Sequence, residues 1–246
     1  MDLPVEEGVP AIAKDEPQRG ERPRGRFITF EGGEGTGKST QAAMLARRLE
    51  LLGIGVLLTR EPGGSPGAEI IRHVLLSGAA KPLGPTVEAM LFAAARQDHV
   101  DYAIMPALRS GRWVVCDRFC DSTRVYQGAL GQVDWRIIKA LERTAVGDLH
   151  PDLTLVLDLP VEVGLRRRAE RRGDAVPDRF EAENVEFHQK LREAYLALAA
   201  REPRRCVLID AAEGRKEIGK KIWAVVSSRF EPATAPVNAE SLVAWG

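Results

Sequence analysis

The sequence predicts an α/β fold in which a five-stranded parallel sheet carries helices on both faces. Short apolar runs typical of strands lie at residues 27–30, 54–59, 113–117, 153–157 and 206–209, and helical patterns separate them. Strands that alternate with helices pair in parallel and are covered on both sides. With 246 residues, of which 44% are hydrophobic, the chain can bury one core of this size.

The two ends of the chain are expected to lie outside this core. Residues 1–24 carry four prolines among many charges and no aromatic residue, so they cannot offset the entropy of ordering and are predicted to form a flexible N-terminal extension. Pro232 and Pro236 follow the last helical pattern and prevent its continuation, which predicts a C-terminal tail at 231–246. The folded domain is therefore predicted to span residues 25–230.

The composition excludes several classes of partner. The 35 basic and 35 acidic side chains cancel, so no overall field favours nucleic acid or an anionic membrane. No run approaches the length of a membrane span, and the N-terminus has no apolar signal core, so we expect a cytoplasmic protein without a membrane partner. Cys116, Cys120 and Cys206 are odd in number and lack a CxxC spacing, which favours reduced thiols.

The first strand runs into a glycine-rich turn that opens a helical pattern over residues 38–52. The turn reads GGEGTGKS at residues 32–39 and fits the G-x-x-x-x-G-K-[ST] phosphate loop in the strand–loop–helix context that this motif requires. Its backbone N–H groups can surround phosphates, Lys38 can reach the β and γ phosphates, and the Ser39 hydroxyl can bind Mg²⁺. These features predict a P-loop NTPase-type three-layer fold, with ATP bound by Gly32, Gly33, Glu34, Gly35, Thr36, Gly37, Lys38, Ser39 and Thr40.

Three further side chains follow predicted strands, where open α/β sheets bind ligands. Asp117 ends the third run like a Walker-B carboxylate and is predicted to lie near Mg²⁺ with Ser39; the alternative is a structural Asp at a strand end. Arg60 and Arg118 can clamp an acceptor phosphate, because fixed guanidinium groups bring two anions together.

Phe92 and Arg96 lie four residues apart on a predicted helix and therefore share a face. Phe92 offers a flat surface on which a base can stack, whereas Arg96, which has only donors, suits the O4 carbonyl of thymine better than the amino group of cytosine. The alternative for this pair is a core phenylalanine beside a surface arginine.

The phosphate loop alone does not name a reaction, because GTPases, motors and small-molecule kinases share it. The Asn-Lys-x-Asp element of guanine-specific switches does not occur in the sequence. Two rival functions therefore remain beside the one favoured below. One is a kinase for another nucleotide or nucleoside, and the other is a regulatory P-loop ATPase or switch without a small acceptor.

Beyond the phosphate loop, the segments TREPGG (59–64), LFAAAR (91–96), DR (117–118) and DSTRVYQG (121–128) resemble the thymidylate kinase family in sequence, order and spacing. The resemblance runs from about residue 27 to residue 211. It implies an ATP-dependent dTMP kinase that makes dTDP by direct in-line transfer with Mg²⁺, as a step in dTTP biosynthesis, and it implies a homodimer.

The resemblance also assigns roles to individual residues. It implies that Thr123 contacts the base, that Tyr126 crowds the sugar 2′ position, that Gln127 assists nearby, and that Arg72 joins the acceptor site. Glu34 matches an acidic position that accepts a hydrogen bond from the sugar 3′-hydroxyl, and we expect it to point away from the triphosphate. The alternatives are a helix capped by Asp121 or Ser122, a surface Arg72 and a solvated Glu34.

Residues 165–179 contain six arginines against three acidic residues, with Gly173 as a possible hinge. Such a run is usually a solvated helix face, but after a strand of a kinase it can close over ATP and stabilise transferred charge. Because the phosphate loop has Gly35 and no arginine, the chain resembles the thymidylate kinases with lid arginines. Arg167, Arg172 and Arg179 are the predicted catalytic lid residues beside Lys38 and Arg118, although neighbouring arginines can substitute for them.

Overall fold

The computed structural model describes residues 24–172, 179–180 and 183–232, without the side chains of residues 171 and 172. Residues 1–23 of the predicted extension, 233–246 of the predicted tail and 173–178 of the predicted lid lie outside the described residues.

The strands are β1 (Phe27–Gly32), β2 (Val56–Arg60), β3 (Trp113–Asp117), β4 (Leu153–Asp158) and β5 (Cys206–Asp210). They form a five-stranded sheet of order β2-β3-β1-β4-β5, and all four strand pairs are parallel. Each apolar run in the sequence became one of these strands, with bounds shifted by at most two residues. The predicted sheet is therefore confirmed.

The α-helices of the described part are α1 (Lys38–Leu51), α2 (Pro66–Leu76), α3 (Pro85–His99), α4 (Met105–Arg109), α5 (Cys120–Thr123), α6 (Trp135–Val146), α7 (Val161–Arg172), α8 (Val185–Arg201) and α9 (Arg215–Phe230). A 3₁₀ turn lies at Lys81–Leu83, and π-helical turns follow α3 and α5 at Val100–Ile104 and Arg124–Leu130.

Helices cover both faces of the sheet, and successive side chains of β1 point to one face and then to the other. Ile28 and Phe30 pack in one cluster with residues of α1 and α9. Phe27 points to the opposite face and packs in a second cluster with residues of α3, α4 and α6. The three-layer arrangement predicted from the sequence is therefore confirmed.

The carboxyl ends of the parallel strands meet at one edge of the sheet, where β1 leads into the phosphate loop and β2 and β3 end at Arg60 and Asp117. The three cysteines are buried and free, as predicted. Among the described residues, no helix is long and apolar enough to cross a membrane.

Candidate active site

The phosphate loop turns at glycines with positive φ, and helix α1 begins at Lys38 directly after Gly37, whose φ is 92°. Thr36 Oγ1 and Lys38 Nζ both donate to the Gly33 carbonyl, at 3.0 and 2.7 Å. Burial and the nearby Arg118 lower the pKa of Lys38 to about 8, against the opposing effect of surrounding carboxylates. The loop thus presents a helix N-terminus and a buried lysine to the cleft.

The phosphate loop packs directly on the backbone of helix α7. Gly35 has φ 70°, and a Cβ on it would lie 1.9 Å from the Gly164 carbonyl oxygen. A Cβ on Gly164 would in turn lie 2.5 Å from the Glu34 carbonyl oxygen. In this arrangement Gly35 cannot carry an arginine or any other side chain, which is consistent with a loop whose catalytic arginines come from elsewhere.

The side chains of Ser39 and Asp117 meet beside the loop, because Ser39 Oγ donates to Asp117 Oδ2. The second carboxylate oxygen, Asp117 Oδ1, is buried and has no hydrogen-bond partner among the described residues. A buried acceptor next to a hydroxyl suits Mg²⁺, which binds hard oxygen ligands and completes its shell with phosphate and water. The predicted Mg²⁺ ligands therefore fit the ion.

Arg118 and Glu34 form the polar centre of the cleft. Arg118 Nη2 donates to Glu34 Oε1 at 2.6 Å, and Tyr126 donates its hydroxyl to the same oxygen at 3.3 Å. Burial alone would raise the pKa of Glu34, but Arg118, Lys38 and Arg168 lower it to about 2. With a side chain only 11% exposed, Glu34 is ionised and held in place, so the alternative of a solvated loop residue is wrong.

Aromatic rings form the apolar part of the cleft. Phe180 lies between Phe92 and Tyr126, with ring centroids 6.1 and 5.3 Å away, and the contact with Tyr126 is edge-on. Phe92 and Tyr126 line the cleft beside Thr123 and Gln127. A flat apolar ligand such as a base can be bound here between rings and short polar groups.

The rings of Phe92, Tyr126 and Phe180 form an aromatic wall, and Arg96 is buried beneath it. Arg96 is 3% exposed, so the alternative of a surface arginine is wrong. Its Nε donates to Glu61 Oε2 at 2.7 Å, and its Nη2 donates to Thr123 Oγ1 at 3.0 Å. Glu61 also contacts His99 Nδ1 at 3.1 Å. Because Thr123 Oγ accepts from Arg96, its own hydrogen can point to a ligand.

Arg60 and Arg72 line the cleft near the end of β2. Arg60 is half-exposed and pairs with Glu69 at 2.9 Å, whereas Arg72 donates to the Pro62 carbonyl at 2.6 Å. Both guanidinium groups are therefore oriented by their own segment, and Arg72 is not the surface arginine that the alternative described.

The expectation that Asp121 or Ser122 caps the helix carrying Thr123 is wrong. Helix α5 begins at Cys120 with Phe119 as its N-cap residue, so Asp121 and Ser122 both lie inside the helix. Asp121 instead pairs with Arg205 at 2.6 Å, and Ser122 donates to the buried Glu31 at 2.7 Å. Those long-range partners draw both side chains away from the helix terminus.

The predicted lid arginines lie apart from one another. Arg167 donates to the carbonyls of Ala211 and Ala212, at 2.9 and 3.3 Å, and Arg179 pairs with Glu88 and Glu183, at 2.9 and 2.8 Å. The side chain of Arg172 lies outside the described residues. Arg168 instead lines the cleft and lies 3.7 Å from Glu34. The catalytic roles of Arg167, Arg172 and Arg179 stay predictions.

Most residues predicted from the sequence line one cleft, namely Glu34, Gly35, Gly37, Lys38, Ser39, Arg60, Arg72, Phe92, Asp117, Arg118, Thr123, Tyr126 and Gln127. Gly32, Gly33, Thr36, Thr40 and Arg96 are not among its lining residues. Sequence reasoning missed the lining residues Glu61, Pro62, Leu76, Ser122, Arg168 and Phe180. Glu61, Pro62 and Ser122 lie within the quoted motifs, and Arg168 lies in the arginine run, but no pattern indicated Leu76 or Phe180.

Comparison with known proteins gives one consistent match. A family model described as thymidylate kinase matches residues 30–222. Thymidylate kinases of Bradyrhizobium diazoefficiens and Nitrobacter winogradskyi are 60% and 59% identical over 214 and 216 residues, which cover 87% and 88% of this chain and 94% of each relative. The crystal structure of thymidylate kinase from Ehrlichia chaffeensis matches with a TM-score of 0.67 and 31% identity, covering 83% of this chain and all of that one.

Proposed function

The chain belongs to the thymidylate kinase family, an enzyme family that phosphorylates dTMP to dTDP, and on that premise we propose that it transfers the γ-phosphoryl group of ATP by direct in-line displacement. One observation carries the proposal: the phosphate loop and the aromatic wall line a single cleft at the carboxyl edge of the sheet. Donor and acceptor phosphates can therefore meet without a covalent intermediate.

The donor side is formed by the phosphate loop and β3. Backbone N–H groups of the loop and of the α1 N-terminus bind the triphosphate, and Lys38 neutralises the β and γ phosphates. Ser39 and Asp117 would hold Mg²⁺, which when bound neutralises charge on the phosphate oxygens. The buried Asp117 Oδ1, without a partner among the described residues, supports this part of the proposal.

The acceptor side is formed by the aromatic wall and Arg118. Phe92 stacks on the base, and Thr123, oriented by Arg96, donates to a base carbonyl. Tyr126 limits the space at the sugar 2′ position, Gln127 lines the same wall, and Glu34 accepts from the sugar 3′-hydroxyl. An ionised Glu34 supports the last role, because a carboxylate is the stronger acceptor.

The arginines of the cleft and the lid bind the phosphates and stabilise their charge. Arg118 lies between loop and wall and clamps the acceptor phosphate, with Arg60 and Arg72 beside it. Arg168 on α7 lines the cleft, and Arg167, Arg172 and Arg179 are proposed to bind phosphate in a closed state of the lid. Fixed cations of this kind stabilise charge in the transition state.

We also propose a homodimer, which the family resemblance implied. Exposed apolar side chains on α2, on α3 and in the π-helical turn after it support a second copy of the chain as the partner, since association would remove their apolar surface from water. They are Ile70 (71% exposed), Val74, Met90 and Tyr102 (73% exposed). The cytoplasmic localisation and the contribution to dTTP supply are part of the same proposal.

A coupled assay of ADP release with dTMP, dUMP, dCMP, dGMP and AMP tests the acceptor. The proposal predicts the highest kcat/KM for dTMP and a lower value for dCMP, whose amino group cannot accept from Thr123. A preference for any other nucleotide in the panel would identify a different kinase.

A further inference from the structure

Strand β1 carries a carboxylate in its buried interior. Glu31 is 0% exposed, and its two oxygens have different partners. Oε1 accepts from the backbone N–H groups of Phe119 and Ser122, at 2.8 and 3.2 Å. Oε2 accepts from the hydroxyls of Ser122 and Tyr195, at 2.7 and 3.0 Å.

The same two hydroxyls contact Arg118. Arg118 Nη1 donates to Ser122 Oγ and to Tyr195 OH, both at 3.2 Å. Each hydroxyl has a single hydrogen, and the ionised form of Glu31 can only accept. Burial raises the pKa of Glu31 to about 7, and the two hydroxyl oxygens lie 3.0 Å from each other, so the ionised form is the one that draws both hydrogens to Oε2. With both hydrogens directed at Glu31, the lone pairs of both oxygens are available to the guanidinium. Glu31 therefore orients the Ser122 and Tyr195 hydroxyls so that both oxygens can accept from Arg118.

The backbone around Arg118 needs the same support. Arg118 has φ 73°, a left-handed conformation that is unfavourable for a non-glycine residue and persists only where the surroundings impose it. The next residue, Phe119, donates its N–H to Glu31. Glu34 holds the other side of the guanidinium at 2.6 Å. Arg118 is thus fixed at its backbone and at both ends of its fork.

We propose that Glu31, acting through Ser122 and Tyr195, is a positioning residue that fixes the Arg118 guanidinium in the geometry that binds the dTMP phosphate. This inference rests on the proposed role of Arg118 as phosphate clamp. Packing does not account for a carboxylate at this site, because an apolar side chain in the strand would avoid the cost of burying a charge.

The test uses Glu31→Gln and Tyr195→Phe in the full chain. A glutamine keeps the shape of the side chain, but in either orientation its NH₂ group faces the two backbone donors or the two hydroxyl hydrogens, so the polarity is broken. Phenylalanine removes only the Tyr195 hydroxyl. Asp152→Asn is the matched control, because Asp152 also accepts a backbone N–H, from Phe27 at 2.7 Å, but lies at the opposite edge of the sheet.

Steady-state kinetics with dTMP and ATP varied separately, together with thermal unfolding, give the readout. We expect Glu31→Gln to lower kcat/KM for dTMP about 100-fold, as a misplaced binding group does, and Tyr195→Phe to lower it about 10-fold. The KM for ATP should stay within about twofold of the wild type, because the donor side is untouched. Because Glu31→Gln and Tyr195→Phe break one network, the double variant should lose less than the product of the single losses. Asp152→Asn should match the wild type in both constants.

Four results would overturn the inference. Unchanged dTMP kinetics in folded Glu31→Gln would show that Arg118 does not depend on Glu31. Equal losses for dTMP and ATP with a lowered Tm would make Glu31 a structural residue. If Glu31→Gln does not fold, wild-type dTMP kinetics in Tyr195→Phe would contradict the inference but not the proposed function. A wild-type chain that does not phosphorylate dTMP would instead contradict the proposed function, and the inference with it.

Discussion

At the scale of single residues, the groups that bind phosphate are buried against one another. Lys38 and Glu34 lie in the same cleft, yet their pKa values shift to about 8 and about 2, because Lys38 is buried beside Arg118 whereas Glu34 is surrounded by cations. Both pKa values are lowered, which disfavours the charged form of Lys38 and favours the charged form of Glu34. Perturbed pKa values of this kind are typical of functional sites, where charge is held for a ligand.

Lys38→Met should separate the effect of Lys38 on catalysis from its effect on the stability of the fold. The variant should lose about a thousandfold or more in kcat, since the charge on the transferring phosphoryl group is no longer neutralised. Its Tm at pH 7 should equal or exceed that of the wild type. The folded pKa of about 8 lies below the ordinary value of 10.5, so charged Lys38 costs the fold up to about 3 kcal/mol below pH 8.

That gain in stability should shrink as the pH rises from 8 towards 10.5, where Lys38 becomes neutral in the unfolded chain as well. Thermal unfolding of both proteins across this range measures it. A markedly lower Tm for Lys38→Met at pH 7 would mean that Lys38 stabilises the fold, contrary to this account.

Thr123→Val tests base recognition while the buried ion pair between Arg96 and Glu61 is kept. Valine keeps the shape but removes the hydroxyl that Arg96 orients, so we expect the KM for dTMP to rise about tenfold and the KM for ATP to stay unchanged. Arg96→Ala is the poorer variant, because it leaves Glu61 buried without its guanidinium and should cost roughly 3–5 kcal/mol of stability. Equal changes in the KM for dTMP and the KM for ATP in Thr123→Val would show that Thr123 does not bind the base.

At the scale of elements, the contact between the phosphate loop and α7 joins the ATP site to the arginine-rich helix. Gly35 and Gly164 approach so closely that neither has room for a Cβ. A shift of α7 must therefore displace the phosphate loop, and Arg168 on the same helix reaches Glu34. The geometry of loop and lid is coupled through backbone contact.

Gly164→Ala should show this coupling. In a helix interior, glycine to alanine usually stabilises by roughly 0.5–1 kcal/mol, but here the added methyl lies 2.5 Å from the Glu34 carbonyl oxygen. We expect a lower Tm and a kcat reduced at least about tenfold. Gly219→Ala in α9 is the control, because its Cβ would meet mainly the flexible end of Met44 at 3.1 Å. A stabilised, fully active Gly164→Ala enzyme would refute the coupling.

At the scale of the whole molecule, the exposed apolar face of α2 and α3 predicts association. Ile70→Glu places a charge at the most exposed apolar position of α2 and should convert a dimer into a monomer, which sedimentation measures. Val185→Glu, at another exposed apolar position, at the start of α8, should leave the dimer intact. A wild-type chain that sediments as a monomer at all concentrations would contradict the homodimer.

The overall fold was predictable because its signals are local. Each strand is a contiguous apolar run, and the phosphate loop is a contiguous motif between a strand and a helix. The roles of Thr123, Tyr126 and Arg118 came from motifs of the same contiguous kind together with the family resemblance.

The remaining site residues depend on contacts between distant segments. Glu31 meets partners from residues 119, 122 and 195, and no local pattern records that meeting. In the arginine run, neighbouring positions differ only in helical phase, so Arg168 could not be told from Arg167 without the packing of α7 on the loop. Phe180 reaches the cleft from a segment without periodicity, and the expected cap at Asp121 was lost to Arg205, 84 residues away.

Under the proposed function, one cleft binds both nucleotides and passes a phosphoryl group directly between them. The most direct test follows ATP labelled in its γ-phosphate during incubation with dTMP, Mg²⁺ and the full chain. We expect the label to appear in dTDP in equal amount to the ADP formed, with little inorganic phosphate. Release of labelled inorganic phosphate at a rate independent of dTMP would contradict it and would identify an ATPase without a nucleotide acceptor.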